Sequence, residues 1–289
     1  MDANHKPNGN LLSTLQLGVG IILLWSCALS VAATDRDIAF VQGNIEFILL
    51  HELAHVLIED HEVPILGPHE NAADFLAVMF LIGVDRFDPD RAERARLFLS
   101  AVANGFATEW ELNQPIYSEL PFWDSHALGI QRFFQIGCLL YGSSPSTFKN
   151  LPARIGLPSA RAAQCEAEFK VAEKSVRWLE DTYRPADNAS VADIRIDYQA
   201  APTRVSKLVL DSMRDIRLLE NAAAQLQERF GIGDTFTISV HRCGNANATW
   251  NQPSRTISIC YELFDYYYLL ARNPKSRGRD KIFSEEKPQ

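Results

Sequence analysis

The sequence has no basic cluster. It holds 28 Lys and Arg against 36 Asp and Glu, a net charge of −8, and this argues against a nucleic-acid partner. It has no C-x-x-C pair among its five cysteines, so no cysteine zinc site is expected. It also has no internal repeat, which sets aside solenoid and propeller architectures. What remains is the composition of an ordinary folded chain. With 289 residues, 47% hydrophobic and 22% charged, it can bury a sizeable core in one or two domains.

Residues 1–10 are polar and include Lys6, and Leu11–Ala33 is largely apolar, ending in the small residues Ser30-Val31-Ala32-Ala33. This is the pattern of a secretory signal cleaved after Ala32 or Ala33. The run is also long enough to remain as a membrane tether. Leu24-Trp25-Ser26-Cys27 is a weak match to a lipoprotein signal, with Trp25 a poor fit. Export is the expectation in each case: periplasmic, secreted, or anchored facing the periplasm. Removing the leader leaves Cys138, Cys165, Cys243 and Cys260, an even number that would pair in an oxidising compartment. Nearest-neighbour pairing, Cys138 with Cys165 and Cys243 with Cys260, would close loops worth about 3 kcal/mol each by chain entropy. Composition alone leaves the other connectivities open.

The chemistry is concentrated in Phe47-Ile-Leu-Leu-His51-Glu52-Leu-Ala-His55-Val-Leu-Ile-Glu59, an apolar helical run with two histidines and a glutamate set into it. Residues four apart share a helical face, so His51 and His55 can point at one atom with Glu52 beside them. Burying these three unpaired would be costly, and a metal accounts for all of them. The pattern is H-E-x-x-H, the zincin motif, in which zinc lowers the pKa of water from 15.7 to about 7 and the glutamate takes its proton.

Three residues compete as third ligand. His61 has the metzincin spacing, but Ile58 stands where that motif needs a helix-ending glycine. Glu59 is one turn from His55 and would point along the helix axis, as a solvated or capping charge. Glu70 follows the Gly67-Pro68 loop at the start of an Ala-rich helix, with Asp74 one turn further on the same face. Glu70 can reach the metal, and Asp74 can hydrogen-bond a ligating histidine.

H-E-x-x-H followed by Glu70-Asn71-Ala72-Ala73-Asp74 resembles the gluzincin peptidases, in particular the prenyl-protein protease and heat-shock membrane protease group. More closely, the stretch is similar to a bacterial family described as "putative metallopeptidase", of unknown function. That similarity continues through Trp123-Asp124-Ser125-His126, Gln131-Arg132, Cys138–Gly142 and Leu157–Arg161 to Cys165. The resemblance implies a zinc-dependent peptidase acting on a peptide or protein substrate: His51, His55 and Glu70 as ligands, Glu52 as general base, Asp74 orienting a ligand. His126 or Arg132, spaced like a later motif of the prenyl-protease group, would steady the oxyanion. It further implies that Asn247 and Ala248 lie in the substrate cleft, on an edge hairpin. Two other readings stand beside this one. In the first, His61 or His69 closes the site as a fourth ligand of a structural zinc. In the second, the chain is a non-catalytic envelope binding protein with a relic metal site.

The expected fold is α+β, a mostly helical zincin-like half at 34–184 and an α+β half at 190–272, separated by the polar Arg184–Ser190 segment and followed by a charged disordered tail, 273–289. Helices are expected over 35–60 with a break near Gly43-Asn44, 70–83, 91–103, 127–141, 159–183 and 205–230, with an irregular aromatic stretch at 106–121. Strands are expected at 194–198, 235–240 and 256–261. In the related proteins the hairpin precedes the zinc helix, whereas here it follows. A hairpin packed beside that helix would make this a circularly permuted zincin.

Overall fold

The computed structural model of the chain describes residues 33–83, 89–113, 116, 120–186, 192–280 and 282. The leader therefore lies outside the described residues except for its last position. So do parts of the aromatic stretch, the 184–190 segment and the tail.

Helix α1 (Asp35–Asp60) is the axis of the fold. Thr34 and Asp37 open it with a capping box, each side chain accepting the other's backbone N–H at 3.2 Å. Buried residues lie all round it, from Phe40 to Ile58, which is the signature of a helix enclosed by neighbours rather than laid on a surface. The expected break near Gly43 does not occur. A Cβ at Gly43 would come within 3.0 Å of the Phe98 backbone, so this glycine serves close helix packing and leaves the backbone ladder intact.

Helices α2 (His69–Gly83) and α3 (Pro89–Asn113) pack against α1, and α4 (Gly129–Ser143) packs on α3. Helix α3 runs ten residues past its expected end at 103, taking in the first part of the aromatic stretch. Its late turns are held by tertiary contacts: Asn104 Nδ2 donates to the Ser276 carbonyl at 2.8 Å, and Thr108 Oγ1 to Asn104 Oδ1 at 3.0 Å. A short turn, α5 (Leu151–Arg154), leads to α6 (Ser159–Tyr183), joined to α4 by the disulfide Cys138–Cys165.

The second half supplies β1 (Ile194–Tyr198), α7 (Arg204–Asp215), α8 (Leu218–Phe230), β2 (Phe236–His241), β3 (Ala248–Asn251), β4 (Thr256–Cys260), α9 (Tyr261–Arg272) and α10 (Pro274–Gly278). The single helix expected over 205–230 is two. Its buried stripe, Val209, Leu210 and Met213, resumes only at Leu218 and Leu219, a gap of five where a continuous helix needs three or four, and Ile216 between them is exposed. Arg217 takes a left-handed conformation, φ 51°, to make the shift. The sheet order is β1-β2-β4-β3, with β1, β2 and β4 parallel and β3 antiparallel on the edge. A second disulfide, Cys243–Cys260, ties the start of the β3 hairpin to the end of β4.

One hydrophobic core runs from Val41 to Phe264 across both halves, with Phe230, Phe236, Tyr261 and Phe264 fully enclosed. The fold is thus α+β and mostly helical, and its strand hairpin packs against α1. The expectation of a disordered tail fails over 273–280. There Asn273 caps α10, Arg279 Nη1 donates to Thr108 Oγ1 at 2.9 Å, and Arg36 Nε donates to Asp280 at 2.9 Å.

Candidate metal centre

The middle of α1 and the first turn of α2 face each other. His51 Nε2, His55 Nε2 and Glu70 Oε2 meet there in a triangle with sides of 3.1, 3.0 and 3.2 Å. Ligand atoms of a tetrahedral ion with bonds of 2.0–2.1 Å stand about 3.3 Å apart, so one small cation fits against all three. The outer nitrogens are engaged elsewhere. His51 Nδ1 lies 2.9 Å from Asp74 Oδ1 and His55 Nδ1 lies 2.9 Å from His69 Nδ1. With their protons on Nδ1, both imidazoles turn a lone pair toward the carboxylate oxygen of Glu70. Three lone pairs converging on one point repel unless a proton or a metal stands between them. The donor set therefore fits a metal ion, and two imidazoles with one carboxylate is a set that suits zinc.

The electrostatics of the metal-free site express the same demand. Burial works against charge on His51, but the Asp74 and Glu70 carboxylates outweigh it and push the imidazole up to about 9. His55 goes the other way, down to about 4, through burial and then the charge on His51. Glu70 falls to about 2, held ionised by its hydrogen bond to His51 against the cost of burial, with His55 and His126 adding to the effect. Burial alone would raise Asp74, yet His51 and the guanidinium of Arg132 bring it below its usual range. One positive charge is thus retained in the cluster, where a metal would take its place.

Glu52 stands beside the triangle. Burial raises its pKa, opposed by the charge on His51 and by a backbone hydrogen bond from Trp250. That bond, Trp250 N–H to Glu52 Oε2 at 2.7 Å, comes from the edge strand β3. The Asn247 carbonyl accepts from Cys260 N–H, so strand alternation turns the backbone groups of Ala248 and Trp250 outward, away from β4. The side chain of Asn247 lies at the exposed start of the hairpin. Three further bonds clamp the hairpin to the last turn of α1. Trp250 Nε1 donates to Glu59 Oε2 at 2.6 Å, and Arg255 grips Asp60 with both Nη atoms at 2.8 and 2.7 Å. The Arg255 guanidinium also lies 5.5 Å from the centre of the Trp250 ring.

The remaining candidates fall into place around this arrangement. His126 Nε2 is 3.0 Å from Glu70 Oε2, and Asp124 receives the His126 backbone N–H at 2.9 Å, fixing that loop beside the donors. Arg132 is not on the open face. Its Nη2 lies 2.5 Å from Asp74, and its guanidinium stacks 4.1 Å over Phe106, so it backs the Asp74–His51 pair. His61 does not join the donors: it follows the end of α1, accepts nothing from them, and bonds the Phe230 carbonyl at 2.9 Å. Glu59 is half-buried and outside the donor cluster, its Oε2 taken by the Trp250 indole. Trp250, Arg255 and Asp60 were not legible as site-shaping residues, because nothing in local spacing marks partners 191 to 195 residues apart.

Two imidazoles from the buried α1 and a carboxylate from α2 meet at one point, with Glu52 alongside, in an α+β protein whose donor cluster could hold a metal ion. The chain belongs to the family described as putative metallopeptidase, whose model matches residues 28–179 and 198–286. No curated protein and no solved structure matches it.

Proposed function

We propose that this protein is a zinc-dependent peptide hydrolase of the gluzincin type, with His51, His55 and Glu70 as its metal ligands. The observation that carries the reading is the convergence of those three donor atoms beside an independent buried carboxylate, Glu52. Zn2+ bound there would supply Lewis-acid chemistry, making water nucleophilic near neutral pH. Glu52 holds one oxygen, Oε2, on the Trp250 N–H, and its other oxygen takes the proton of the attacking water and returns it to the leaving amine. Asp74, braced by Arg132, keeps His51 in the Nδ1–H tautomer. His126, exposed beside Glu70, would turn its Nε2 from Glu70 Oε2 to the developing oxyanion when that oxygen is engaged as a ligand, a role closed to Arg132, whose guanidinium is held by Asp74 and Phe106. The substrate lies extended along the outward backbone of β3 at Ala248, with Asn247 at the rim. On this reading the chain is a circularly permuted zincin, its edge strand following its metal helix.

Export to an oxidising compartment belongs to the same proposal and is supported by the two disulfides and the leader-like run at 11–33. Among the described residues no helix is long and apolar enough to cross a membrane, so any tether would come from that run. The test is cleavage of a peptide library by the zinc-loaded chain, beside Glu52→Gln. We expect cleavage by the wild type and loss of at least about 10²-fold in Glu52→Gln with its zinc retained. Zinc-loaded wild type that cleaves nothing, or a glutamine variant as fast as wild type, rejects the proposal.

A further inference from the structure

The two candidate ligand histidines are held from behind by unlike partners. His51 Nδ1 meets a carboxylate, Asp74, itself braced by Arg132. His55 Nδ1 meets another imidazole, His69, at 2.9 Å between the two Nδ1 atoms, with the rings inclined by 18° and their centres 4.8 Å apart. Two imidazole nitrogens at that distance share a single proton, and the direction of that bond decides what the far side of His55 can do. If His69 donates, the proton of His55 sits on Nε2 and points into the triangle of donors. If His69 accepts, His55 carries Nδ1–H and turns a bare Nε2 to the cation.

We propose that His69 is a positioning residue for the metal, whose Nδ1 accepts the Nδ1–H of His55 and so fixes the tautomer and ring angle of that ligand. The inference rests on the metal-centre reading above. It is favoured by the local fold: His69 is the first residue of α2 and Glu70 the second, so one helical turn delivers a ligand to the site and a brace to the ligand opposite. It also argues against His69 as a fourth ligand. Its Nδ1 is occupied by His55, and the donors that meet within 4.8 Å of one another at this site are those of His51, His55 and Glu70.

The variants are chosen by shape. His69→Ala removes the acceptor, whereas His69→Asn places an amide oxygen close to where Nδ1 stood. Zinc affinity of the full chain, stripped of metal and titrated against a competing chelator, should weaken about 10- to 100-fold in His69→Ala and return to within about threefold of wild type in His69→Asn. The Co2+ absorption spectrum should keep its shape in both, since no ligand is lost. A purely structural role would lower the melting temperature of the metal-free protein in both variants without separating their affinities, and that pattern overturns the inference. So does zinc held equally by wild type and His69→Ala, or a Co2+ spectrum showing a lost ligand. If wild type itself takes up no zinc, the metal-centre reading falls and this inference with it, a result distinct from the other three.

Discussion

Helix α1 has two differently built flanks. Toward α2 it turns His51 and His55, whose Nε2 atoms meet Glu70 at 3.0–3.2 Å in a cluster that repels itself unless a proton or a metal stands between them. Toward β3 it turns Glu52, Glu59 and Asp60, and each of these carboxylates is met by a donor from the hairpin: the Trp250 backbone, the Trp250 indole and the Arg255 guanidinium. The first flank is electrostatically incomplete by itself, and the second is closed by the protein alone. The contrast teaches that a ligand site and a structural seam can share one helix when the chain satisfies only one of them internally. It also means that metal removal should loosen one flank and leave the other standing.

The largest expected effect breaks the first flank. Glu70→Ala should lose zinc essentially completely, while His61→Ala, which gives up a bond to the Phe230 carbonyl and a stack on Tyr183 but no donor of the cluster, should hold about one zinc per chain. Elemental analysis of the purified chain decides this, and zinc surviving the loss of Glu70 would mean the ligand set is wrong. A smaller effect should come from the second flank. Arg255→Ala removes a bidentate partner of Asp60, whose side chain is 11% exposed against 25% for Arg255. Allowing for that partial screening, the cost should be about 2 kcal/mol in denaturant unfolding. Zinc stoichiometry should be unchanged, and KM for a cleaved peptide should rise more than kcat falls because the edge strand is less well held. Equal stability, or loss of zinc, would contradict the division between the flanks.

The smallest effect concerns pH. In the metal-free protein His51 is raised from 6.5 to about 9. A raised group binds its proton more tightly when folded, so this contribution to stability is fully present below about 6.5 and is lost as pH rises through about 9. The melting temperature of chelator-treated protein should decline across that window. The decline should be shallower in Asp74→Asn, where one of the carboxylates sustaining the shift is gone. A decline of the same depth in both proteins would remove Asp74 from the explanation.

Much of the first flank was legible and almost none of the second. The i, i+4 spacing of His51 and His55 is a property of any α-helix, and the Gly67-Pro68 break before an Ala-rich run marks where Glu70 enters. Asp74 follows from the same helical turn. The four cysteines allowed nearest-neighbour disulfides without selecting them, and the fold brings Cys138 to Cys165 and Cys243 to Cys260. The failures had a common cause. The end of α3 and the order over 273–280 depend on Asn104, Thr108, Ser276 and Arg279 meeting one another, and no window of either segment contains its partners. The resemblance offers His126 or Arg132 as the oxyanion donor, and the direction of Arg132 is set by Phe106 and Asp74 on other helices.

The sequence by itself determined the α+β class, the helix carrying His51, Glu52 and His55, and the carboxylate that completes their triangle. All of these follow from helical periodicity or turn chemistry, which act within about 30 residues, whereas the choice among the cysteine pairings was left to the fold. Only the tertiary structure decided that β3 closes on Glu52, that Arg255 holds Asp60, that Arg132 stands behind His51, and that His69 faces His55. Those contacts depend on where whole elements come to rest. The packing of one shared core sets that, and it leaves no periodic trace in the chain.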